Sequence, residues 1–293
     1  MKKQNISELD MLFEEIGTYK DSCEFKDLLQ FVKRFHRVAP YNAMLLHVQK
    51  PGSTYVATGR EWERTFNRGI KAGARPLVIL RPFGPVSFVF ELGDTEGTKP
   101  FPQKLLNPFE TEGELSGINY DRLVENLKSD GILYVEAEYG TNSAGFIQTS
   151  TKKVETKISR VTKEIWVEIL YEMVVNRTHK IETRFATILH ELGHLYCGHL
   201  GTPFLKWWED RHNLSKNIME FEAECVCWLI CERMGIHNPS AEYLNSYLDN
   251  NERIPSISLD IVLKSVGKIE KMIKEKIEPR KEIVKKVIDL KSK

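Results

Sequence analysis

His190-Glu191-Leu192-Gly193-His194 is the densest concentration of chemically useful side chains in the chain. At about 3.6 residues per helical turn, positions four apart stack on one face, so His190 and His194 present two imidazoles to one point with Glu191 beside them. Phe185, Ile188, Leu189, Leu192 and Leu195 form an apolar stripe that sets the pentapeptide inside such a helix. Zinc takes nitrogen, sulfur or carboxylate donors, and a catalytic site keeps one position open for water. The ion lowers that water's pKa toward about 7, and a neighbouring carboxylate, here Glu191, can take its proton as it attacks a carbonyl. The implied chemistry is zinc-dependent hydrolysis of a peptide bond.

A third protein ligand must come from elsewhere, and Met219-Glu220-Phe221-Glu222-Ala223-Glu224-Cys225 supplies spaced carboxylates. Glu220 and Glu224 share a helical face, and Glu222 points away from it. Glu220 is therefore assigned as the third ligand to Zn2+, with Glu224 accepting a hydrogen bond from the non-coordinating nitrogen of a ligating histidine. An extended three-histidine pattern would need Gly at 197 and His at 200, where the chain has Cys197 and Leu200. His199 falls half a turn out of phase with His190 if the helix persists; Gly198 can end that helix, so phase alone does not exclude it as a ligand, but against the usual ligand spacing it reads as a substrate-contacting or surface residue. Tyr196, His199 and His212 are the candidates for stabilising an oxyanion. Cys225, Cys227 and Cys231 lack Cys-x-x-Cys spacing and sit among Val226, Trp228, Leu229 and Ile230, so they read as buried thiols. Cys227 and Cys231 continue the stripe of Glu220 and Glu224, which directs them at the histidine helix.

The elements that must position this site follow from periodicity. Helical stripes run through Leu9, Leu12, Phe13 and Ile16 and through Phe25, Leu28, Leu29, Val32 and Phe35. Pro76–Leu80 and Val86–Phe90 read as a strand hairpin, and Gly93 to Gly117 as a long loop or linker. A helix near Asp121–Leu127 and strands at Ile132–Glu136, Gly145–Thr149 and Glu164–Leu170 precede a remainder that reads as almost wholly helical from about Glu182. Lys264 to Lys293 reads as a basic amphipathic helix. The expected organisation is a smaller α+β N-terminal domain over 1–115 and a mainly helical metal domain with a small sheet over 116–293.

The 293 residues are 41% hydrophobic, enough to bury a sizeable core, and their net charge of +1 gives no whole-chain field for nucleic acid or anionic membranes. An acidic opening segment, no long apolar run and an odd number of cysteines, five, point to a cytoplasmic protein with reduced thiols and no membrane partner.

These residues resemble the ImmA/IrrE family of zinc metallopeptidases, in which a His-Glu-x-x-His helix is followed by a Glu-x-x-Ala helix, here Glu220-Phe221-Glu222-Ala223. The resemblance covers roughly Gly131 to Gly235 and implies a zincin-like, gluzincin-type fold and cleavage of a protein substrate, a transcriptional repressor in a phage or mobile-element setting. Ser240-Ala241-Glu242-Tyr243-Leu244 looks like a segment of the related ArdC-type antirestriction proteins. Asn42-Ala43-Met44-Leu45-Leu46, Trp62 and Gly73–Val78 resemble, more loosely, the single-stranded DNA-binding domain of that group. The alternative function is thus a single-stranded DNA-binding antirestriction protein with a mainly structural metal site. Lys33, Arg34, Arg37, Arg60, Arg64, Arg68, Lys71 and Arg75, interleaved with Phe31, Phe35, Tyr41, Tyr55, Trp62 and Phe66, carry that reading.

Overall fold

Phe25, Leu28, Leu29 and Val32 recur at helical spacing and are buried along helix α1 (Ser22–Arg34). Pro40, whose ring presets φ for a helix start, opens α2 (Pro40–Gln49). There follow β1 (Val56–Ala57), α3 (Gly59–Phe66), β2 (Gly69–Ile70), β3 (Leu77–Arg81), β4 (Gly84–Glu91) and β5 (Thr95–Glu96). Next come α4 (Gly117–Leu127), β6 (Ile132–Ala137), β7 (Gly145–Thr149), β8 (Glu155–Ser159), β9 (Lys163–Glu168) and β10 (Tyr171–Asn176). Helices α5 (Ile181–Tyr196), α6 (Lys216–Arg233) and α7 (Leu259–Lys274) and strand β11 (Val284–Asp289) complete a mixed α+β architecture. The computed structural model describes residues 22–35, 37–81, 84–102, 105, 117–138, 144–151, 153–236 and 254–290. The stripe from Leu9 to Ile16 and the segment Ser240–Leu244 lie outside them.

Strands β3 and β4 pair antiparallel, and β1 joins the other side of β4, which leaves β3 at the sheet edge. Helix α2 covers that edge. The Asn42 amide accepts from Leu80 N at 2.8 Å and donates to Leu80 O at 2.9 Å, and Gln49 does the same with Val78 at 2.8 Å each way. Two side-chain amides thus stand in for a neighbouring strand and satisfy groups that an edge would otherwise expose. Tyr55, Trp62, Phe66 and Phe101 form a separate small core with ring centroids 4.8–5.6 Å apart. Phe31, Phe35 and Trp62 are fully packed inside, so these three rings are not surface platforms for stacking bases.

The sheet beside the proposed site has the order β6-β10-β7, with β6 and β10 parallel and β7 antiparallel to β10. A second sheet, β11-β9-β8, is antiparallel throughout. The strand expected at Glu164–Leu170 is β9, which ends two residues earlier; β10 was not expected, and Ile169-Leu170 hands the chain from one sheet to the other. Strand β8, with only Ile158 buried, was too polar to be expected.

The basic helix expected to run from Lys264 to Lys293 ends at Lys274. Pro279 cannot continue a helix, and the β-branched Val284, Val287 and Ile288 favour the pleated pairing that β9 offers. The lysines between them had concealed a strand.

One buried cluster takes in Phe25 to Val32 of α1, Met44 and Leu46 of α2, and the apolar faces of α5, α6 and α7. Arg233, at the end of α6, fastens these parts together. Its guanidinium donates to Glu270 of α7 at 2.7 Å and to the carbonyls of Val32, Phe35 and Val38 at 2.7, 3.1 and 2.9 Å. Among the described residues no helix is long and apolar enough to cross a membrane.

Candidate metal centre

Helices α5 and α6 meet at Gly193 and Ala223. A Cβ on Gly193 would lie 3.0 Å from Ala223 Cα and 3.1 Å from its carbonyl oxygen, so the backbones approach closely because both residues are small. His190 precedes Gly193 by three residues and Glu220 precedes Ala223 by three, so each faces the other helix one turn from that crossing. Gly193→Ala is expected to cost about 1–3 kcal/mol through overpacking. It should also weaken metal binding, because it pushes Glu220 away from the histidines. Urea unfolding and chelator competition read the two effects separately.

The crossing brings together His190, His194 and Glu220. Nε2 of His190 lies 3.1 Å from Nε2 of His194, and Glu220 Oε2 lies 3.6 and 3.5 Å from these two nitrogens. With zinc–ligand bonds of about 2.0–2.2 Å, the edges of a metal tetrahedron run about 3.3–3.6 Å. The two Glu220 distances match such an edge and the 3.1 Å between the imidazoles falls slightly short of one, so the three donors approximate one face of a tetrahedron, and all three are only half-buried.

Electrostatics ties the trio together. Burial alone would lower the His190 pKa, but hydrogen bonds to Glu220 and Glu224 raise it to about 10. His194 falls to about 4 through burial and through His190 and His199 nearby. Glu220 is held at about 2, chiefly by its contact with His190. Protons and a cation would compete for these lone pairs, so a metal bound here would be held more tightly as pH rises.

Around the trio, Glu224 Oε1 sits 3.3 Å from Nδ1 of His190. Glu191 is not one of the three donors; its Oε2 accepts from the backbone N–H of Ile147 in β7 at 3.0 Å. Gly145 makes that approach feasible, since a Cβ there would lie 2.8 Å from Thr187 Cγ2 on α5. Burial raises the Glu191 pKa, and the His190 charge and the Ile147 N–H offset part of the rise.

The oxyanion candidates lie elsewhere. Tyr196 donates its hydroxyl to buried Asp130 at 2.8 Å, and His212 is exposed beside Asp210. His199 is buried, against the expectation of a substrate-facing or surface residue. Its Nδ1 is 3.0 Å from Nδ1 of His194, and its Nε2 is 2.9 Å from Glu222 Oε2. Sequence reasoning missed this pair: Gly198 signals the end of the helix but not where the chain turns next.

Cys197, His199 and Glu222 form a second, buried group within metal-ligand distances. Arg211 engages both oxygens of Glu222 at 2.6 and 2.7 Å, so a cation there would meet a guanidinium. Burial also pushes the Cys197 thiol up, which keeps it protonated and a poor ligand. Cys197, Cys225, Cys227 and Cys231 are buried thiols in no disulfide, and Cys227 Sγ donates to Ala186 O of α5 at 3.3 Å.

No family model matches the chain, and no curated protein matches it. Among solved structures it is similar to the antirestriction protein ArdC from the R388 plasmid. The metal-free structure of that protein is 15% identical, covering 79% of this chain and 81% of that one, with a TM-score of 0.36. Its Mn(II)-bound structure is 16% identical with the same coverage and a TM-score of 0.35.

Proposed function

We propose that the chain is a zinc-dependent peptidase of zincin-like, gluzincin type, in which His190, His194 and Glu220 hold the ion and Glu191 is the general base. The spacing of the three donors, with a second carboxylate, Glu191, beside them, carries this reading. When bound, zinc supplies Lewis acidity and lowers the pKa of water toward about 7. Glu191 takes the proton of the attacking water at a carboxylate oxygen and passes it to the leaving nitrogen. Its raised pKa suits both transfers. Glu224 orients His190 through Nδ1.

The outer edge of β7 carries no strand partner among the described residues, and Ile147 on it already meets Glu191. An extended segment of a protein substrate, such as a repressor, would add to that edge through backbone hydrogen bonds. To test this reading, the full chain is incubated with a mixture of unstructured peptides. Cleavage should disappear on treatment with a zinc chelator and return with added zinc. Absent cleavage, or cleavage indifferent to chelation, overturns it.

Charge favours a second reading, single-stranded DNA binding by the N-terminal part. Arg60, Arg64, Lys71, Arg75 and Arg81 are exposed, and Phe88, 56% exposed, lies on β4 beside β3. In this reading the metal site is mainly structural. An oligonucleotide titration at low salt that shows no binding removes it.

A further inference from the structure

We propose that Glu222, held by Arg211, acts through His199 to fix the tautomer of His194, which makes His199 and Glu222 positioning residues for the metal centre. The proposal rests on the metal reading of His190, His194 and Glu220, and is independent of whether the chain cleaves peptides.

Glu222 is a fully buried carboxylate. Arg211 donates to both oxygens of Glu222, and the backbone N–H of Ser258 donates to Oε1 at 2.7 Å. Arg211 is itself buried and also donates to Cys197 O at 3.1 Å, so the guanidinium is held in place. An ionised carboxylate only accepts, so the His199 nitrogen 2.9 Å from it, Nε2, must carry the hydrogen. In neutral His199 the lone pair is then at Nδ1.

That lone pair faces Nδ1 of His194 at 3.0 Å, which must in turn be the N–H. The His194 lone pair is thereby left at Nε2, the atom that faces His190 and Glu220. Were His199 reversed, Nε2 of His194 would bear a hydrogen aimed at the metal position, and no ligand would be offered there. Hydrogen bonds of this kind set ligand tautomer, orientation and basicity in metal sites.

The chain path explains why a second histidine is used. Glu222 and Glu224 are two residues apart on α6 and project to different sides. Glu224 reaches His190 directly. Glu222 reaches His194 only through an intermediary. Gly198, with φ of +82°, ends the helical course after α5, and a Cβ there would lie 2.0 Å from Glu209 O. The turn brings His199 beneath His194, where its N–H donates to the His194 carbonyl at 3.0 Å.

Zinc affinity, measured by chelator competition in the full-length protein, tests the proposal. His199→Leu should weaken binding by about 10- to 100-fold while the circular dichroism spectrum stays native. His199→Gln, whose amide can donate to Glu222 and accept from His194, should restore most of the loss. Equal affinity in wild type and His199→Leu, or no recovery with Gln, overturns the positioning role. A wild type that binds no zinc overturns the metal reading beneath it, a distinguishable failure. Should His199→Leu not fold, nitrogen-15 imidazole spectra of the zinc-loaded wild type decide. Protons on His194 Nδ1 and His199 Nε2 are expected, and a proton on His199 Nδ1 overturns the assignment.

Discussion

Glu191→Gln is expected to lower kcat for peptide cleavage by about 10²- to 10⁴-fold, the usual scale of a lost general base, while zinc content stays unchanged. The amide has nearly the shape of the carboxylate but cannot take a proton. Its oxygen can still accept from Ile147 N, so β7 keeps its seat against α5. The three donors His190, His194 and Glu220 do not include this residue, so the ion should remain bound. Zinc analysis and steady-state kinetics on the same preparation check both halves. A variant that keeps zinc and full activity would sink the base assignment, and one that loses zinc would make Glu191 a ligand.

Arg233→Met should destabilise the protein by about 3–5 kcal/mol, the cost of removing one partner from a buried ion pair. The methionine fills much of the space but donates nothing. Glu270, only 8% exposed on its side chain, would keep Lys274 at 3.4 Å as its remaining cation among the described residues. The carbonyls of Val32 and Val38 would lose this donor as well. Because Arg233 joins α1, α6 and α7, the loss should appear as one cooperative shift of the urea midpoint. A change below about 1 kcal/mol, typical of a surface pair, would show that the brace is dispensable.

How much was legible beforehand depended on the range of the interaction that decides each feature. The β3–β4 hairpin, α4, β6, β7 and the two helices bearing His190 and Glu220 could be read from local period. Residues one turn apart on one helix are neighbours by geometry alone, whatever the rest of the fold does. The C-terminal strand was hidden because lysines beside Val284, Val287 and Ile288 imitate a basic amphipathic helix. Its state is settled by β9, more than a hundred residues earlier, which supplies the pairing.

The same division runs through the candidate site. Spacing within each helix put His190 with His194 and Glu220 with Glu224, and marked Glu222 as facing away. What Glu222 faces could not be read, because Arg211, Ser258 and His199 arrive from three other segments. His199 was misjudged because Gly198 signals where the helix ends but not where the chain turns next, and the positive φ there carries His199 beneath His194. The two backbones meeting at Gly193 and Ala223 are likewise a fact of packing. Side-chain chemistry and its helical repeat are local properties carried by the chain. The partners that orient that chemistry are chosen by burial, where every polar group must find a donor or acceptor from wherever the fold can supply one.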